Sequence, residues 1–178
     1  KDPADNAAVT ALLPQVHLDI LLQDGAQHVL LNGEDVSDAI RQEQVGMAAS
    51  AVGANPAVRA FLLDTQRQLA KSRSVLMDGR DIGTVVLPDA TVKIFLTASP
   101  EARADRRYAE LVAKGQPADY DTVLADIRRR DDQDTHRAAA PLRRAEDAVL
   151  VDTSDLDIEQ SFAALKKVIL DRAAGKQG

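Results

Sequence analysis

The 178-residue chain contains no cysteine. That excludes disulfides and thiolate metal sites, and it fits a reducing cytoplasm, the expected location. Histidine is nearly absent too. His17, His28 and His136 lie far apart, without metal-ligand spacing, and read as surface or turn residues. No apolar run approaches the ~20 residues of a membrane-spanning helix, and the first residues lack the apolar core of a signal peptide. No membrane partner is therefore expected. The net charge of −6 argues against a general nucleic-acid surface. There is neither an internal repeat nor a low-complexity tract. With 45% apolar and 28% charged residues, the chain suits one globular domain with room for a small insert.

Local patterns predict the elements. Asp5 to Leu13 reads as a short helix ended by Pro14. Residues 17–22 and 28–31, joined by Gln23-Asp24-Gly25-Ala26, read as a β-hairpin, and Asn32-Gly33 marks another turn. A helical stretch opens near Ser37 and breaks at Asn55-Pro56. A second helix, with Val58, Leu62 and Leu69 near helical spacing, starts at Pro56. Val75-Leu76-Met77, Val92-Lys93-Ile94-Phe95-Leu96 and Ala148-Val149-Leu150-Val151 read as short apolar strands. Helical patterns separate the second from the third and follow the third, which implies a parallel sheet. The last helix carries a capping box, Asp157 with Gln160, and an apolar stripe, Ile158, Phe162, Leu165 and Ile169, expected in the core. Both chain ends are expected to fray.

The chemistry concentrates where the first of these strands ends, in Asp78-Gly79-Arg80-Asp81-Ile82-Gly83. Ligands of open α/β sheets bind just beyond the carboxyl ends of strands. The segment offers a phosphate-binding cation and two metal-binding anions there. By itself it is equally a solvated Asp-Gly turn. Nine of the fifteen arginines fall between Arg103 and Arg144, interleaved with acids. Arg130, Asp134 and Arg137 share a helix face with Val123 and Ile127, so the face begins apolar and ends charged. A helical salt-bridge ladder explains it as well as a ligand site does. Asp131, Asp132 and Arg128 lie off the stripe and are expected in solvent. Arg103, Arg106 and Arg107 form a second face, which Glu101 and Asp105 could neutralise. Guanidinium groups converging from several elements are what phosphoryl transfer uses to balance charge.

Several segments resemble bacterial cytidylate kinases. They are Asp78 to Val86, Val92 to Leu96, Arg103-Ala104-Asp105-Arg106-Arg107, Arg129-Arg130-Asp131-Asp132-Gln133-Asp134 and Arg137-Ala138-Ala139-Ala140-Pro141-Leu142. Gly33 to Ser37, Ala48-Ala49-Ser50 and Pro56-Ala57-Val58-Arg59 extend the likeness upstream. It covers nearly the whole chain in order.

The resemblance implies a P-loop nucleoside monophosphate kinase-like α/β fold. Residues 1–14 would end a core helix region and residues 15–56 would form the monophosphate-binding insert. Residues 57–178 would form the core, with an arginine-rich lid at about 101–140. It implies transfer of the γ-phosphoryl of ATP to CMP or dCMP, with Mg²⁺ as cofactor and a monomer when complete. By position, Ser50 and Arg59 would read the cytosine edge with Asp81 nearby. Arg130 and Asp134 would contact the ribose. Arg80 and Arg137 would clamp the acceptor phosphate, and Arg103, Arg106 and Arg107 would close over ATP. Asp78 would hold Mg²⁺ through water. The hydroxyl of Ser50 and the guanidinium of Arg59 weaken a uridylate- or adenylate-directed alternative.

One departure stands out. The family's glycine-rich phosphate loop is not found: no Gly-x-x-x-x-Gly-Lys-Ser/Thr occurs in the chain, and Gly175-Lys176 lacks the rest of the motif. The expectation is a cytidylate kinase without its N-terminal segment, inactive in transfer by itself. The alternative is a non-catalytic pyrimidine-nucleotide-binding protein that keeps the acceptor half. The family's first strand would lie between residues 75–77 and 92–96, so a gap, or another segment filling it, is expected there.

Overall fold

A computed structural model describes residues 2–53, 55–136 and 140–175. The chain forms two compact units, residues 1–75 and 76–178.

The first unit opens with α1 (Asn6–Leu12), whose N-cap Asp5 accepts from the N–H groups of Ala7 and Ala8. Pro14 ends it in a 3-10 turn, Leu13–Gln15. Three antiparallel strands follow: β1 (Leu18–Gln23), β2 (Ala26–Leu31) and β3 (Glu34–Asp35). Their turns are Asp24-Gly25, with φ of 53° and 76°, and Asn32-Gly33, with φ of 52° and 87°. Paired left-handed residues match the twist of a two-residue hairpin, so these dipeptides set the register Gln23↔Ala26 and Leu31↔Glu34. Asp35 accepts from the hydroxyl and the N–H of Ser37 and meets His28 Nδ1 at 2.7 Å. These bonds hold its carboxyl down at about 2.

Two helices, α2 (Glu43–Gly53) and α3 (Pro56–Ser72), complete the unit. Asn55, 2% exposed, ties them to α1. Its Oδ1 caps α3 at Ala57 N, 2.9 Å, while Nδ2 donates to Asn6 O and Thr10 Oγ1, both at 3.1 Å. Asn55→Ala removes the cap of α3 and both hydrogen bonds to α1. It is expected to destabilise the unit by about 1–3 kcal/mol in urea titration. A change below a few tenths would show that α1 is not anchored through this side chain.

The second unit is mixed α/β with a small parallel sheet. β4 (Ile94–Thr97) pairs with β5 (Val149–Asp152) in the register Ile94↔Val149 to Thr97↔Asp152. The crossover holds α4 (Pro100–Ala113) and α5 (Tyr120–His136), and α6 (Ile158–Ala174) follows β5. Gly115, at φ 66°, ends α4. The bond from Gln116 N to Leu111 O, 3.0 Å, closes the cap and turns the chain back toward α5. Rings of Tyr108 and Tyr120 meet edge to face at 6.1 Å across the helix pair. The capping box of Asp157 and Gln160 forms as the sequence predicts.

Two expectations need correction. Val75-Leu76-Met77 is not a strand: residues 74–78 have no regular secondary structure and belong to no ladder among the described residues, and Leu76 is 92% exposed. An apolar run gives strand propensity, but a strand exists only where a neighbour supplies N–H and C=O groups. The stripe of α6 is also not core: Ile158 is 86% and Phe162 66% exposed. The half-buried face is instead Ser161, Ala164, Leu165 and Val168, at i, i+3, i+4 and i+7. A two-stranded sheet is too narrow to cover the whole apolar width of the helix. The buried apolar residues of this unit are Val86, Ala104, Ala148 and Val151. Ala104→Leu, at 0% exposure, is therefore expected to cost about 1–3 kcal/mol by overpacking. Phe162→Ser is expected to stay within about 0.5 kcal/mol. The reverse order in chemical denaturation would refute this placement of the core.

Candidate active site

A cavity of about 610 Å³ lies in the second unit between Met77–Arg80 and β4. Backbone geometry shapes its first wall. A Cβ on Gly79 would stand 2.9 Å from Ile82 Cγ1, so the close turn favours glycine there, while one on Gly83 would meet the flexible Lys93 side chain at 3.3 Å. Between them Asp81 starts a turn of π-helix, Ile82–Val86, closed by Leu87 N on Ile82 O at 2.7 Å. Such turns are rare and concentrate at functional sites.

The second wall is β4 and the loops past the carboxyl ends of the sheet. Thr153 N donates to Thr97 O at 2.9 Å, and Ser99 N donates to Ser154 Oγ at 2.8 Å. Ser154 in turn donates twice to Asp152, which lowers that carboxyl's pKa. Ser99 also caps α4 through Ala102 N. These bonds fix the start of α4, and so the arginines on its first two turns.

Arg103 is held at three nitrogens. Nε donates to Ala98 O at 3.1 Å and Ser99 O at 3.4 Å. Nη1 and Nη2 donate to Oδ1 and Oδ2 of Asp131 at 2.8 and 2.5 Å. Arg106 reaches the other way, donating from Nη2 to Thr153 O and to Leu156 O, the latter at 3.1 Å. Arg80 Nε donates to Asp134 Oδ2 at 2.8 Å. Arg80, Arg103, Arg106, Asp131 and Asp78 all line the cavity. Two carboxylates of α5 thus receive arginines from two other segments.

Several expected site residues stand elsewhere. Arg107 pairs with Glu110 on its own helix, and neither it nor Arg130, Asp134 or Asp81 lines the cavity. Arg130 is exposed, and no Arg130–Asp134 ladder forms, because Asp134 is engaged by Arg80. Arg59 lies on α3 of the first unit. The side chain of Ser50 and all of Arg137 lie outside the described residues. Asp131, expected in solvent, is half-buried and bidentate to Arg103. Its i, i+3 spacing from Asp134 was the signal for a shared face. Lys93 and Arg143 are further cations on the cavity wall that the sequence reading passed over.

Among the described residues, no group of three His, Asp or Glu side chains could hold a metal ion by itself. A lone Asp78 carboxylate fits Mg²⁺, which keeps most of its waters and takes one or two carboxylates plus substrate phosphates.

The cytidylate kinase family model matches residues 1–170. The chain belongs to the cytidylate kinase family. It is 53% identical over 173 residues to the cytidylate kinase of Mycobacterium leprae (strain Br4923), covering 97% of this chain and 76% of that protein. Against that of Rhodococcus jostii (strain RHA1) the identity is 50% over 177 residues, 99% of this chain and 76% of the relative. The Geobacillus sp. (strain WCH70) protein is 46% identical over 168 residues, 94% and 75%. Across these relatives of a nucleotide-binding transferase family, the chain spans about three quarters of their length. No helix among the described residues is long and apolar enough to cross a membrane.

The Arg103 bond, the largest cause, lowers the Asp131 pKa, with smaller pulls from Arg80 and Arg130 opposed by desolvation. A depressed carboxyl pKa gives stability that is present above the ordinary aspartate range and lost as pH falls through the folded value. The stability difference between the wild type and Asp131→Asn should be constant from neutral pH to about 5 and close below about 4. A difference that persisted at low pH would show that the pair is not ionic.

Proposed function

We propose that this chain carries the acceptor-nucleotide site and lid of an enzyme that transfers the γ-phosphoryl of ATP to CMP or dCMP. The observation that carries this reading is a cavity in the second unit lined by Arg80, Arg103, Arg106 and Asp78 beside the ends of a parallel sheet. Family membership supports it. Residues 15–56 serve as the monophosphate-binding insert, and residues 101–140 as the lid within the 57–178 core.

In this reading Arg80 and Arg137 clamp the acceptor phosphate. Arg103, Arg106 and Arg107 face the donor triphosphate. Ser50 and Arg59, with Asp81, read the cytosine edge, while Arg130 and Asp134 take the ribose. An oxygen of the CMP phosphate forms the new bond to the γ-phosphorus as the bond to the β,γ-bridging oxygen breaks. No covalent enzyme intermediate is needed, so catalysis rests on alignment and charge neutralisation. Mg²⁺, held by Asp78 through water, would supply further neutralisation of the phosphate charge.

A second reading, nucleotide binding without transfer, is favoured by the absence of a Gly-x-x-x-x-Gly-Lys-Ser/Thr motif from these 178 residues. Backbone amides of such a loop stabilise charge worth several kcal/mol at the transition state. The purified chain alone is therefore expected to bind CMP but show no ATP-dependent CDP formation in a coupled assay. Turnover near the roughly 1–100 s⁻¹ of typical kinases would refute the requirement for that loop. Arg80→Ala should weaken CMP binding about 10- to 100-fold by calorimetry, the loss of one charge-assisted contact. Arg59→Met should instead narrow the preference for CMP over UMP. If Arg80→Ala binds CMP normally, the Arg80–Asp134 pair is a structural ion pair and the acceptor reading fails.

A further inference from the structure

We propose that Asp131 is the positioning residue for Arg103, fixing its guanidinium plane in the cavity so that a polyphosphate meets a preoriented cation. This rests on the reading of Arg103 as nucleotide-facing. Four hydrogen bonds engage all three guanidinium nitrogens: two carbonyls of the β4–α4 loop at Nε, and two carboxylate oxygens of α5 at Nη1 and Nη2. Of the five guanidinium N–H groups, one on each Nη is left by these bonds. These two N–H groups diverge along different edges of one rigid plane, so each can donate to a separate oxygen of a polyphosphate chain. Both side chains line the 610 Å³ cavity and both are 34% exposed, so the guanidinium is held in place yet open to a ligand.

Among the described residues, Asp131 is the carboxylate that bonds Arg103. Glu101, two residues from Arg103, is paired with Arg128 at 2.7 Å. Asp134 is paired with Arg80. An arginine on a solvated helix face loses rotamer freedom when it binds an anion; here much of that freedom is lost on folding. The same bidentate pair admits the opposite role, in which Asp131 occupies Arg103 as a phosphate surrogate and must leave before a ligand binds. The two roles differ in sign: removing a positioning group weakens anion binding, and removing a competitor strengthens it.

The test uses the 178-residue chain labelled with ¹⁵N-arginine and titrated with inorganic tripolyphosphate, reading the Arg103 Nε–H resonance. Asp131→Asn is expected to weaken tripolyphosphate binding about tenfold, the size of one charge-assisted contact. CMP affinity should move much less. Asp131→Glu, which restores the charge, should recover most of the loss. Arg103→Ala should lose at least as much, and Asp131→Asn should add nothing in that background. Unchanged or tighter binding by Asp131→Asn overturns the positioning role, as does an equal loss without Arg103. If Arg103→Ala binds tripolyphosphate normally, or the wild-type resonance does not respond, the nucleotide-facing reading of Arg103 fails and the proposal with it.

Discussion

Two carboxylates on one helix face, Asp131 and Asp134 of α5, each take a guanidinium from another part of the chain. The second unit depends on this pairing. Arg103 comes from the start of α4 and Arg80 from the Asp78–Asp81 turn, so the two ion pairs bind three segments around one cavity. Exposed ion pairs contribute little on average because solvent screens them. These differ in geometry. The Arg103–Asp131 pair is bidentate, its guanidinium is also anchored to two backbone carbonyls, and the Asp134 side chain is only 24% exposed. Planar fork-to-carboxylate bonding restricts orientation as well as adding energy.

The sheet supplies the frame for that arrangement. It has two strands among the described residues, and their carboxyl-terminal loops are laced together through Thr97, Ser99, Asp152, Thr153 and Ser154. Arg106 completes the lacing by donating to the carbonyls of Thr153 and Leu156. It therefore serves the loop frame while lining the cavity. Arg103 and Arg80 meet carboxylates instead, and carboxylates have the charge and shape that a phosphate would present. A site built this way has its cations placed before any ligand arrives, which is the condition for electrostatic stabilisation of a moving phosphoryl group.

Much of the first unit was legible in the sequence. Asp24-Gly25 and Asn32-Gly33 gave two turns, Pro14 ended α1, and Asn55-Pro56 started α3, each by local backbone chemistry. Asp157 and Gln160 gave the start of α6 for the same reason. The misread features depend on partners distant in sequence. Val75-Leu76-Met77 has the composition of a strand but no ladder neighbour. The stripe through Ile158 and Phe162 has helical period, but which apolar stripe faces inward is set by the width of the sheet beside it. In the site, spacing identified Arg80, Arg103 and Asp134 as notable yet paired them wrongly. Helical periodicity favours i, i+4 partners within α5, whereas the folded chain gives Asp134 to Arg80, 54 residues away, and Asp131 to Arg103, 28 residues away.

The central claim is that Arg80 binds the acceptor nucleotide's phosphate. A crystal structure of the 178-residue chain with CMP tests it most directly. The account expects the CMP phosphate within hydrogen-bonding distance of Arg80, with the Arg103–Asp131 pair intact. A CMP phosphate bound away from Arg80, with the Arg80–Asp134 and Arg103–Asp131 pairs both undisturbed, would contradict it and leave the α5 carboxylates a purely structural role.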